Sequence, residues 1–108
     1  MKPVRVEPEA KQELAAAAAW YETRREGLGH ELIVEVDAVF AAIARSSTRF
    51  PLYPRVSAQL GVRRAVAGRF PYGVAFMDLG SAIRVIAIAH ERRRPGYWTD
   101  RLRNSSTQ

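Results

Sequence analysis

From Ala82 to His90 the sequence reads AIRVIAIAH, and only Arg84 interrupts the apolar residues up to Ala89. The run is too short to span a bilayer, which needs roughly 20 residues. It is too uniform for a half-buried strand, which would alternate polar and apolar positions. It reads as a strand buried on both faces. Such a strand dictates much of its surroundings. Its backbone needs a partner strand on each edge, and its two faces need cover from other elements.

The rest of the chain supplies candidates for both. PVRVE (Pro3 to Glu7) alternates Val4 and Val6 with charge, as a short half-buried strand does. Pro8 suits the first turn of a helix, where its missing N–H would have no partner anyway. The following EAKQELAAAAAWYETRRE is rich in alanine, the strongest helix former. Leu14, Ala17, Ala18 and Tyr21 share one face of that helix, and Arg24 and Arg25 fall in its last turn. Gly27 and Gly29 mark a tight break. A second helix is predicted from about Gly29 to Ala44, with Leu32, Val36, Val39, Phe40 and Ile43 forming its apolar stripe. So short a link makes an antiparallel helical hairpin.

Arg45 to Gly61 is irregular, with Pro51 and Pro54 blocking regular structure. Two more strands follow, Val62 to Ala67 and Tyr72 to Asp78, before the apolar strand itself. GRFP and LGS supply the turns, so the last three strands form an antiparallel meander. Thr99 caps one short C-terminal helical turn. The expected fold is α+β in the order β-α-α-β-β-β, with the hairpin on one face of a small, mainly antiparallel sheet. Residues 1–103 form a single domain, and residues 104–108 a flexible tail.

Charge divides the chain. Through Ala44, five basic residues face eight acidic ones; from Arg45 onward, twelve arginines face Asp78, Glu91 and Asp100, a balance of +9. Arginine's planar fork matches carboxylate and phosphate, so the second half should attract an acidic partner. No cysteine is present, which removes disulfides, thiolate zinc sites and a cysteine nucleophile. His30 and His90 lie in different segments and suggest no metal site. MKPVRVEPEAKQ lacks the apolar stretch of a secretion signal. A cytoplasmic protein without membrane contact, metal or cofactor is expected.

The candidate chemistry gathers near the apolar strand. Placing Met77 beside Ile83 puts His90 beside Phe70 and Arg69. One basic grouping is then Arg69, His90, Arg92, Arg93, Arg94 and Tyr97. Arg63, Arg64 and Arg84 form another toward the opposite end of the sheet. Arg84 and His90 are six residues apart, roughly 20 Å along a strand. Arg84 either reaches solvent from a strand end or aims at a phosphate or carboxylate. His90 is either a general acid or base or a strand-end residue bonded to backbone. Tyr97 and Trp98 either stack on bases or close the core. Arg92 to Arg94 is either a solvated face or part of a partner-binding patch.

Residues 3 to 101 resemble the RelE/ParE superfamily of bacterial type II toxins. The resemblance rests on VEPEAKQEL, FPLYPRV, VRRAVAGRFPYGVAF and IRVIAIAHERRRPGYW, together with the element order. It implies a cognate acidic antitoxin that wraps the toxin in a heteromeric complex. It also implies one of two targets. ParE-like members inhibit DNA gyrase, with Arg63, Arg69, Arg92, Arg93, Arg94 and Trp98 here serving target or antitoxin binding. RelE-like members cut messenger RNA on the ribosome without metal, for which Arg64, Arg84, His90 and Tyr97 are the matching positions. This sequence lacks a lysine pair before the second strand and ends its last strand in His90-Glu91 rather than a compact catalytic cluster, which places it nearer the ParE side. Independently of the resemblance, a non-toxic basic nucleic-acid-binding module would show steep salt dependence.

Overall fold

A computed structural model describes residues 1–105 of the chain. Its elements are β1 (Val4–Val6), α1 (Pro8–Arg24), α2 (Leu28–Arg45), β2 (Arg63–Val66), β3 (Tyr72–Asp78), β4 (Ile83–His90) and α3 (Asp100–Ser105). Two single-turn 3-10 helices, Ser47–Arg49 and Ala58–Leu60, punctuate the long connection before β2. The expected order holds. α3 extends through Ser105, past the expected start of the tail, and residues 106–108 of that tail lie outside the described residues.

The strands form one sheet in the order β1-β4-β3-β2. β4 is therefore interior, and every residue from Ile83 to Ala89 is buried. β1 pairs with β4 in parallel, while β2, β3 and β4 form the antiparallel meander. The parallel pairing follows from the helical hairpin between β1 and the meander, which returns the chain to the end of the sheet where it began.

The hairpin closes tightly. A side chain at Gly29 would put its first carbon 2.4 Å from the Ala18 carbonyl oxygen, so only glycine lets α2 start so close to α1. Glu22 then accepts from the backbone N–H groups of Gly27 and Gly29, at 2.8 and 2.9 Å, capping the start of α2. Leu32, Val36 and Ile43 of α2 are fully buried against Phe76, Ile83 and Val85 of the sheet. Asp78 anchors a corner of the sheet. Its carboxylate accepts from Lys2 Nζ at 2.7 Å, from Ser47 Oγ and from the Gly80 N–H at 2.8 Å.

The meander's register differs from the expected one. Met77 lies opposite Arg84 rather than Ile83, and Tyr72 rather than Phe70 lies opposite His90. The second residue of slip has a local cause. Ala75 faces Ala87 and Phe76 faces Val85, so Ile86 is an extra residue in β4, a bulge. It breaks the alternation of faces: Val85 and Ile88 face the helices, whereas Ile86, Ala87 and Ala89 all join the opposite face. In a run of uniformly apolar residues an extra one leaves no mark on the pattern.

Candidate functional site

The sheet face opposite the helices has a floor of Ala75, Ala87 and Ala89. Small side chains there leave room for Trp98, which the turn after β4 lays onto the sheet with no exposure to solvent. Its ring meets Tyr53 edge-on at 5.1 Å between centroids. This corrects the expectation that Trp98 serves target or antitoxin binding: its whole indole is spent as core.

Beside Trp98 lies a groove of about 240 Å³ lined by Tyr53, Arg55, Arg64, His90, Arg93 and Arg94, among others. Glu91 is the single carboxylate in its lining. The groove is therefore cationic. Arg55 enters it from the loop in the left-handed backbone region, with φ of 63°. For a residue other than glycine that conformation carries strain of order 1 kcal/mol. Burial pushes the Tyr53 phenol's pKa up.

Arg64 reaches this groove over a glycine. Its stem lies over Gly73, where a side-chain carbon would come within 3.3 Å of Arg64 Cγ and Cδ. The two basic groupings expected at opposite ends of the sheet are thus rearranged: Arg64 joins His90, and Arg63 and Arg84 do not. Arg63 donates to the Phe50 carbonyl at 2.5 Å, fixing the loop to the edge of β2. Arg69, placed by the expected register beside His90, instead pairs with Glu31 and Glu35 of α2 at 3.2 and 3.7 Å.

Arg84 is 9% exposed. Its Nε and Nη2 donate to Glu7 Oε1 at 3.1 and 3.0 Å, and Nη2 also donates to the Arg101 carbonyl at 2.9 Å. Neither alternative drawn from sequence holds for it. It reaches neither open solvent nor a site for an external anion, because Glu7, only three residues past the start of β1, lies across the parallel strand pair.

His90 and Tyr97 both line the cationic groove and a second one of about 260 Å³, floored by Ala16, Ala17 and Ile88 and walled by Trp20. Each is already engaged by a neighbour within the protein. His90 Nδ1 accepts from the Arg92 N–H at 3.0 Å, and the ring sits edge-on to Tyr72 at 5.1 Å. In neutral imidazole Nε2 then carries the proton, and the lone pair on Nδ1 is engaged by the backbone. Tyr97 Oη donates to Glu13 Oε2 at 2.5 Å. Burial first, then that bond to a carboxylate, push the Tyr97 phenol's pKa up well beyond its ordinary value.

Glu13 is the residue that sequence reasoning passed over. Besides Tyr97, it holds Arg101 through two bonds of 3.0 and 2.9 Å and accepts from the Ile88 N–H at 3.0 Å. Arg101 Nη1 also donates to the Ile86 carbonyl at 3.0 Å. The last backbone bond from the β1 side goes from the Glu7 N–H to the Val85 carbonyl. Beyond it, these two side chains take up β4's backbone groups. Glu13 follows Pro8 by less than two turns of α1, and only the shortness of the neighbouring strand makes it a sheet partner. Among the described residues, no group of three or more His, Asp or Glu side chains is placed to hold a metal ion.

Fold and groove together define a class: a helical hairpin over one face of a four-stranded mixed sheet, with a cationic groove on the other face. A chain of the chromosomal ParDE TA system from P. aeruginosa has this fold. The two superpose with a TM-score of 0.71 at 16% identity, over 83% of this chain and 96% of that one. The likeness is one of fold, and it is the fold that the RelE/ParE resemblance implied. No family model matches the sequence, and no curated protein does. Among the described residues no helix is long and apolar enough to cross a membrane.

Proposed function

We propose that this chain is the toxin of a bacterial type II toxin–antitoxin pair, of the ParE-like kind, acting in the cytoplasm by binding DNA gyrase. In this reading an acidic antitoxin neutralises it by covering the cationic groove. The fold shared with a ParDE chain supports the toxin–antitoxin class. One observation carries the choice of a binding rather than a cutting toxin. Of the four candidate nuclease residues, Arg84 is tied to Glu7, Tyr97 to Glu13, and the Nδ1 of His90 to the Arg92 backbone. Cleavage without metal needs a base for the 2′-hydroxyl and an acid for the leaving oxygen, and both candidates are occupied. Arg55, Arg64, Arg92, Arg93 and Arg94 then serve to bind.

A second reading, a ribosome-dependent endoribonuclease, draws support from His90 sharing a groove with Arg64 and Arg93. Induction of the chain in cells separates the two. Gyrase inhibition predicts loss of supercoiling with no codon-phased cuts in messenger RNA. Codon-phased cuts with normal supercoiling would overturn the gyrase reading. His90→Ala is expected to leave toxicity intact, measured as growth after induction; abolished toxicity at unchanged protein level favours the nuclease.

A further inference from the structure

Arg93 stands in the wall that the two grooves share. It is exposed, and no carboxylate among the described residues pairs with it. A free arginine of this kind would ordinarily sample many rotamers and lose that freedom on binding. Here its guanidinium carbon lies 3.9 Å from the centroid of the Tyr97 ring, within cation–π distance. The ring is itself pinned, because its hydroxyl is held by Glu13. Arg101 lies 5.4 Å from the same ring, but its charge is matched by Glu13 through two hydrogen bonds. One carboxylate thus neutralises one arginine beside the ring and steadies the platform on which the other, uncompensated arginine rests.

We propose that Glu13 is a positioning residue of the cationic groove: acting through Tyr97, it sets where Arg93 presents its charge to a carboxylate-bearing partner segment. The inference rests on the acidic-partner reading above for its ligand, and on the geometry of Glu13, Tyr97 and Arg93 for its mechanism. Preorganisation of this kind raises affinity by lowering the ordering cost, with no new contact to the partner. It also gives the three residues distinct signatures. Arg93 should contribute to binding directly, and Glu13 only through Arg93.

The test has two readouts. The first is the side-chain Nε–H resonance of Arg93 in arginine-detected NMR spectra, which the Tyr97 ring current should displace. Glu13→Ala and Tyr97→Phe should both return it toward the position of a free arginine. The second is the affinity of the full chain for a labelled ten-residue polyglutamate peptide at low salt. Arg93→Ala and Tyr97→Phe should each weaken it about two- to fivefold, as loss of one exposed charge contact does, whereas Glu13→Ala is read by the resonance alone because it also frees the Arg101 charge beside the ring. The double variant of Arg93→Ala and Tyr97→Phe should bind no worse than Arg93→Ala alone. Effects that multiply in the double variant would overturn the proposal, as would an Arg93 resonance unmoved in both Glu13→Ala and Tyr97→Phe. Should Glu13→Ala fail to fold, Tyr97→Phe decides by the same readouts, because it keeps the Glu13–Arg101 pair. If the wild-type chain ignores the peptide, the acidic-partner reading fails, while the Arg93 resonance still decides whether Glu13 positions it.

Discussion

The two faces of the sheet are closed by different means. On the helix side, Leu32, Val36, Ile43, Phe76, Ile83 and Val85 form a core with no exposure and no charge. Hydrophobic burial is non-directional, so such a face tolerates any packing of about the right volume. The other face is covered by a loop, the turn after β4 and the short α3, which together offer far less apolar surface. There a single tryptophan fills the floor, and two carboxylate–arginine pairs, Glu7–Arg84 and Glu13–Arg101, hold the covering segment. Hydrogen-bonded pairs are directional. They fix where the segment sits, and Arg93 and Arg94 of the groove project from it. The directional face is also the one that carries the candidate site.

Trp98→Ala should be the severest break of that arrangement. Removing a fully buried tryptophan is expected to cost about 3–5 kcal/mol in denaturant unfolding, against about 1 kcal/mol for Ile43→Val on the helix face. Near-equal costs would mean that the groove side is no true core. Arg84→Ala should follow at about 3 kcal/mol, the low end for removing one partner of a buried pair, because Glu7 keeps some contact with water. Replacing both Arg84 and Glu7 by leucine should restore most of that loss in stability. If binding of an acidic peptide fails to return with it, the pair sets position rather than stability.

A smaller effect sharpens the role of the corner where the N-terminal segment and the end of α2 meet the turn after β3. Hydrogen bonds from Lys2, then Ser47, then the Gly80 N–H lower the Asp78 carboxyl from 3.8 to about 2. The folded state therefore binds this proton less readily than the unfolded chain. Its stabilisation is full above pH 3.8 and is lost as pH falls toward 2. Thermal melts across that window should show the decline, and Asp78→Asn should flatten its share of it.

Particular residues show what could be read in advance. Tyr72 to Asp78 runs as a strand over the expected residues, because turn residues bound it on both sides. Pro8 opens α1, and Leu32, Val36 and Ile43 face the core, because helical spacing alone selects them. Ile86 shows the limit. Its bulge supplies one of the two residues by which His90 moves from Phe70 to Tyr72 and carries Ala87 to the face of Trp98, yet an apolar run gives no sign of which residue goes unpaired. Trp98 reads equally well as a stacking surface or as core until a cavity of its size exists beside it.

Local spacing, turn residues and the uneven charge were enough to determine the element order, the buried central strand and the basic second half, since each depends on neighbours in sequence. Which arginines are free was decided only in three dimensions. Arg84 and Arg101 are answered by Glu7 and Glu13, which lie 77 and 88 residues away along the chain. Arg64 lays its stem over Gly73 of the next strand, where a side chain would crowd it. A guanidinium's availability depends on what carboxylate the fold brings within hydrogen-bond reach, and distance along the chain carries no record of that.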